Sequence, residues 1–262
     1  MFGWVFDVPL WIVGPFLVAL LAGISILGLF VVRSRILPRL QVTGHDSHFV
    51  GTMVHSIMVF YGLVLALIAV RVFEVYSESS RIVSTEATAI AMLYRDMGSY
   101  PEPSRSGLQA ALRDYVEQVI HEAWPLQRKG RVPGGGVAKM DTVQVRLGAF
   151  EPVTDGQKVL HAETWRAYNH VIEARNARLD QVTTGLPGVM WMVVLLGAAI
   201  SLSASFFFHV DDARLHVTLV TLLATFIACV IFVVLAMDRP FRGDLGLSAE
   251  PYQLIYDHLM KR

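Results

Sequence analysis

Four windows of the chain, Trp11 to Val32, Met53 to Val70, Leu186 to Phe208 and Leu215 to Met237, are apolar and contain no Asp, Glu, Lys or Arg. Each approaches or exceeds the roughly twenty residues that a helix needs to cross about 30 Å of hydrocarbon, so the pattern predicts four transmembrane helices. The second window runs on, without proline, into a stretch that is charged on one side and apolar on the other. Thr52 to Met97 therefore reads as one helix that leaves a membrane and continues into water. At about 1.5 Å per residue it would extend roughly 69 Å, about twice the hydrocarbon thickness.

Beyond that helix the apolar positions keep helical spacing. Ile82, Ala89, Leu93 and Met97 mark its soluble half, and the prolines between Ser99 and Ser106 mark a turn. Leu108, Leu112, Tyr115, Val119 and Trp124 line one face of a second helix over Gly107 to Trp124, which Pro125 is expected to end. A short helix is predicted over 137–150. Leu160, Tyr168, Val171, Arg175, Leu179 and Val182 then carry a long helix back to the third span. The fold class is all-α: four transmembrane helices in two hairpins, a helical soluble domain inserted between spans two and three, and span two continuing into that domain. The expected limits are 1–73 for the first hairpin, with spans at about 11–32 and 53–73, and 74–183 for the soluble domain. The second hairpin takes 184–237, with spans at about 186–208 and 215–237, and the C-terminal tail takes 238–262.

Composition agrees with a mixed membrane protein: 54% of residues are hydrophobic, 17% are charged, and the mean hydropathy is +0.49. The formal net charge is zero, so no nucleic-acid partner is indicated. The absence of a basic segment ahead of the first apolar run, and the length of that run before Arg33 and Arg35, argue against a cleaved signal, and the run is expected to stay as a span that Pro38 keeps from continuing. Trp4 and Trp11 suit the membrane interface.

Candidate chemistry is sparse. Cys229 stands alone in mid-span, which excludes an internal disulfide or a cysteine-ligated metal, and it reads as a small core residue. His45, Asp46 and His48 have metal-ligating atoms, but on one short polar segment they read as a solvated turn whose Asp46 or Ser47 caps the next helix. The Gly130 to Gly136 tip, GRVPGGG, lacks the lysine, the hydroxyl residue and the preceding strand of a phosphate loop. His121, His161 and His170 read as surface or packing groups. With no nucleophile elbow, no dinucleotide fingerprint and no paired histidines on a glutamate-bearing helix, no enzyme, metal or cofactor is expected. Gly197, Ser201 and Ser205 form a stripe that permits close helix packing. Thr218, Thr221, Thr225 and Cys229 form a weakly polar one, whose hydroxyls are expected on carbonyls four residues back.

Several local patterns together carry a resemblance: Glu86-Ala with Leu93-Tyr-Arg95, Tyr115 with Trp124-Pro125, and Arg175-Asn-Ala-Arg178-Leu before Leu186-Pro187 and Trp191. Asp238-Arg239-Pro240-Phe241 with Gly243 completes the set. The chain resembles the bestrophin-like family of bacterial and plant membrane proteins and, more distantly, the bestrophins, which are ring-shaped anion channels. In animal bestrophins the Pro-Phe and Gly-Asp motif runs into an acidic calcium clasp. Here Leu245-Gly-Leu-Ser follows, so the resemblance does not extend to calcium regulation.

What the resemblance implies is a homo-oligomeric ring, a pentamer, in a bacterial inner membrane, with the lipid bilayer, further copies of itself and inorganic ions as its partners. Span two would line the centre. Counting three and four residues alternately from His55 gives Val59, Gly62, Ala66, Ala69 and Phe73, a stripe that suits either a pore gated by dewetting or a close seam between helices. Arg71 and Glu74 would stand at the inner mouth. Glu86, Arg95, Arg175 and Arg178 would form a polar network between the two long helices, as a buttress or as part of an inner vestibule. The function implied is an ion channel, for anions in preference to cations. The alternatives are a non-conducting membrane scaffold or sensor whose soluble domain binds a partner, and a cation channel or transporter.

The orientation cues conflict. Asp7 before span one and Arg33, Arg35 and Arg39 after it favour an outside N-terminus, whereas the resemblance favours a cytoplasmic soluble domain with both termini inside. We adopt the latter. A reporter active on only one side of the membrane, fused to Arg262, is expected to report the cytoplasm; a periplasmic signal would reverse the assignment.

Overall fold

The computed structural model describes residues 3–40, 44–208, 210 and 212–261, with the side chains of 3, 4, 40 and 44–50 outside that description. Among the described residues there is no strand, and four helices are long and apolar enough to cross a membrane. The chain divides into two compact units. One comprises 1–74 and 185–238, the other 75–184 and 239–262.

In the first unit, α1 (Leu10–Val31) follows a short 3-10 turn, and Pro15 lies in its second turn. The chain does not stop before Pro38. A π-helical turn, Val32–Ile36, carries it into a last helical turn, Leu37–Leu40. Leu37 N–H donates to the Val32 carbonyl five residues back, so the backbone shifts register just ahead of a residue that has no N–H of its own. The second helix, α2, runs from Gly44 to Met97, 54 residues or about 80 Å. It therefore starts eight residues before Thr52, and His45 to His48, expected to form a turn, belong to its first turns. Their side chains, like that of Trp4, lie outside the described residues. Acidic and hydroxyl residues such as Asp46 and Ser47 suit the first turn of a helix as well as a loop.

Two further spans, α6 (Gly188–Ser205) and α7 (Ala213–Met237), complete this unit once the helices of the second unit are counted in chain order. α1 packs along α7 in the opposite direction: Gly14 near its start faces the Phe232 ring near the end of α7. Asp212 caps α7 by accepting from Arg214 N–H at 2.8 Å. Thr218 and Thr221 donate to the carbonyls four residues back, at 2.9 and 2.7 Å, as expected of that stripe. Cys229 departs from expectation. It is exposed on the protomer, because the buried face of α7 runs through Val220, Ala224, Ile227, Ile231 and Val234, and residue 229 falls off that stripe.

In the second unit, α3 (Ser104–Gln118) again continues past an expected stop through a π turn, Val119–Ala123, into Trp124–Gln127. Trp124 N–H reaches back to the Val119 carbonyl one residue before Pro125, the same device as at Pro38. α4 (Gly136–Gly148) packs against α3. α5 (Asp155–Gln181) opens with a capping box between Thr154 and Gln157. The tail returns as α8 (Glu250–Ile255) with a final π turn, Tyr256–Met260. Ile90, Leu93, Met97, Leu112, Tyr115, Val143, Leu147 and Val171 form the fully buried centre of this unit.

In the first unit two glycines stand where a side chain would collide with a ring, Gly28 against Phe206 and Gly197 against Tyr61. A Cβ on Gly197 would sit 2.4 Å from the Tyr61 ring, whose hydroxyl donates to the Val194 carbonyl at 3.1 Å. Gly197→Ala is therefore expected to lower stability by about 1–3 kcal/mol through overpacking. Gly62→Ala, where a Cβ meets nothing within 4 Å, should leave it unchanged or slightly raised. Thermal unfolding of the two variants in detergent checks the contrast; equal losses would contradict it.

Candidate functional site

The membrane-spanning half of α2 buries a narrow stripe and leaves the rest of its circumference bare. Val54, Leu65, Ile68 and Val72 are buried, and Tyr61 joins them through α6. On the other faces His55, Val59, Gly62, Ala66 and Phe73 are exposed, and Ala69 is half-buried. Gly62 is therefore not in a close seam within the protomer; the close seam on this helix is Tyr61 over Gly197. Arg71 and Glu74 are both exposed and face each other across 3.5 Å, one turn apart on α2. An exposed pair of this kind is worth about 0.2–1 kcal/mol and leaves both charges accessible.

In the second unit, Glu86 is 0% exposed and Arg178 1%. Arg178 Nε and Nη2 donate to the two carboxylate oxygens at 2.5 and 3.2 Å, a two-point pairing. Two phenols complete the shell: Tyr115 O–H donates to Glu86 Oε1 at 2.8 Å and Tyr252 O–H to Oε2 at 2.9 Å. The guanidinium is stacked between the Trp124 and Tyr252 rings, 5.9 and 5.7 Å from their centroids. Four donors thus converge on one buried carboxylate from α3, α5 and the tail. Burial, reinforced by the Glu86 charge, pushes both phenols well above their ordinary value of 10.0.

Of the four residues expected in this network, Glu86 and Arg178 meet. Arg95 does not join them: nine positions at about 100° each place it about half a turn round α2, on the exposed side. Arg175 is buried but is directed at the start of α4 rather than at Glu86. Tyr252 is not among the expected site residues, and its only sequence signal is an aromatic in a tail helix whose second residue is Pro251. Tyr115 and Trp124 belong to the expected apolar face and to the patterns of the resemblance but not to the expected polar network, although both carry a polar handle that a buried position must satisfy.

The post-span motif serves both units. In the first, Asp238 accepts from the Leu186 amide at 2.6 Å and faces Trp191 Nε1 at 3.4 Å, which fixes the start of α6 to the end of α7. In the second, Arg239 Nη1 donates to the Thr183 carbonyl at 2.6 Å. Pro240 accepts from Leu247 N–H at 2.8 Å, and Phe241 is buried against Trp124. Gly243 takes φ +75°, a conformation that favours glycine, where the chain reverses. Among the described residues no group of three or more His, Cys, Asp and Glu is placed to hold a metal ion.

This arrangement of four membrane-crossing helices, with one continuing as the first beam of a helical unit, defines a membrane protein of the bestrophin type of fold. A sequence profile of the Bestrophin-like domain matches residues 17–252, and the chain belongs to that family. Its structure is similar to crystal structures of two single-substitution variants of a bacterial bestrophin homolog from Klebsiella pneumoniae. The first has a TM-score of 0.65 at 11% identity, over 95% of this chain and 98% of the other. The second has a TM-score of 0.62 at 12% identity, over 96% and 99%. A variant described as a membrane protein gives 0.63 at 11% identity, over 93% and 97%. No curated protein matches the sequence. The family and the four apolar helices make this an integral membrane protein.

Removing one side of the buried pair leaves an uncompensated charge. Glu86→Gln and Arg178→Met are each expected to cost about 3–5 kcal/mol, and a doubly apolar replacement less than the sum of the two. Unfolding of the single and double variants measures this, and additive losses would contradict a coupled pair. The phenols add a pH dependence. Because their folded values lie above 10, their contribution is complete below pH 10 and is lost as the pH rises further. Tyr115→Phe and Tyr252→Phe should each remove one late-titrating phenol from the ultraviolet titration and flatten the alkaline loss of stability.

Proposed function

We propose that the protein assembles as a homo-oligomeric ring, a pentamer by family resemblance, and conducts ions, anions in preference to cations, through a central pore lined by α2. The observation that carries this reading is the bare face of α2. A helix that buries only one narrow stripe within its own protomer has exposed small residues at Gly62 and Ala66 and free space where a Gly62 side chain would stand. Repeated around an axis, such a face supplies a whole pore wall from one helix. Val59, Gly62, Ala66 and Ala69 would form a narrow apolar neck gated by dewetting, with His55 at one end and Phe73 at the other. Arg71, exposed beside Glu74, would set the potential at the inner mouth. Glu86 and Arg178 would serve chiefly as a buttress for the long helix beyond the membrane, Arg175 would stand outside that pair, and Arg95, on the face opposite Glu86, would look toward an inner vestibule. Asp238 would hold the start of α6 to the end of α7, while Arg239 to Gly243 would anchor the tail within the second unit. The soluble unit and both termini would lie in the cytoplasm, with the spans in a bacterial inner membrane.

Purified protein in liposomes is expected to dissipate a chloride gradient faster than a potassium gradient. Gly62→Leu and Ala66→Leu should reduce that flux severalfold while leaving the protomer folded, since nothing in the protomer occupies the space beside Gly62. A stable monomer without flux would overturn the proposal in favour of a non-conducting scaffold, and preferential potassium flux would overturn the anion assignment.

A further inference from the structure

The glycine-rich tip at Gly134 to Gly136, which has no part in the conduction reading, leads directly into α4. No side chain caps that helix: Gly135 is the N-cap, and Gly136, its first residue, is buried. The first turn of a helix holds amide N–H groups without intrahelical acceptors and carries about half a positive charge. A second cation is turned on the same spot. Arg175, on α5, is 7% exposed, and a Cβ on Gly136 would stand 3.2 Å from its Nη2. Among the described residues no carboxylate pairs with this guanidinium. Its one hydrogen bond is a long one, 3.4 Å, to Oδ1 of the neighbouring Asn176. Lys139 on α4 is already engaged with Asp114 at 3.9 Å. Gln118, also 7% exposed, closes the third side. Its Oε1 has no hydrogen-bond partner, and its amide lies 3.2 Å from a Cβ on Gly135 and 3.4 Å from one on Gly136.

Two positive poles facing each other in a buried setting repel, and a guanidinium withdrawn from water without a counter-ion carries a penalty of several kcal/mol. An anion between them relieves both. The absence of Cβ atoms at Gly134, Gly135 and Gly136 lets such a ligand approach the backbone amides closely. We propose that Arg175, the Gly135–Gly136 start of α4 and the Gln118 amide form a binding site for a small oxoanion of the phosphate class. Arg175 supplies the charge, the α4 amides donate to the oxygens, and the Gln118 amide, turned by half a rotation, donates through Nε2. The site lies wholly within the second unit and does not depend on whether the protein conducts.

The test is a titration of the full-length protein in detergent with inorganic phosphate, read by 31P line broadening and by the unfolding midpoint, against chloride and acetate at matched ionic strength. Phosphate is expected to broaden and to raise the midpoint more than either control. Arg175→Gln should weaken phosphate by about tenfold or more, the weight of a hydrogen bond to a charged group. Should that variant fail to fold, Gln118→Leu and Gly136→Ala are read by the same 31P titration and should also weaken binding. A response equal to that of chloride, or unchanged in all the folded variants, would overturn the site; an equal response to acetate would overturn the phosphate class.

Discussion

Glu86 holds its unit together from a fully buried position. Its two oxygens take Arg178 and two tyrosines, and those partners arrive from α5, α3 and the returning tail, so one carboxylate specifies where three separate segments end up. Each partner is in turn fixed by something else: Arg178 by the Trp124 and Tyr252 rings, Trp124 by its indole bond to the Leu247 carbonyl at 3.0 Å and by Phe241. Loss of the carboxylate charge would strand a buried guanidinium. A buried ion pair of this kind adds less to net stability than it takes away when broken, and what it secures is one arrangement of these helices over others. Because Glu86 sits on α2, the same contact fixes the charged half of the helix whose apolar half is the candidate pore wall.

The helical class and the spans were legible for a simple reason. Charge-free windows of sufficient length have few other uses, and none of the 44 charged side chains had to be explained away. Local signals failed where a register shift could absorb them. Pro38 and Pro125 read as stops, yet in both places a π turn just before the proline transfers the bonding five residues back and the helix proceeds. Arg95 was placed with Glu86 by motif, although helical geometry alone sets the two on opposite sides. Tyr252 reaches Glu86 across 166 positions, and no local periodicity announces such a partner.

At the membrane half of α2 the sequence reads as a stripe of small residues, which suits a seam as well as a wall. The protomer distinguishes them in part: its close contact is Tyr61 on Gly197, a different face from Gly62 and Ala66. The fold shared with a bacterial bestrophin homolog at 11% identity underlines how little residue identity this architecture requires.

The central claim is that α2 turns its bare face to the axis of a homo-oligomeric ring. A cryo-electron microscopy reconstruction of the assembled protein in lipid nanodiscs tests it most directly. The account predicts a closed ring with Gly62 and Ala66 of every copy at the narrowest point of a central passage. A monomer, or a ring in which that face of α2 lies against lipid, would contradict it.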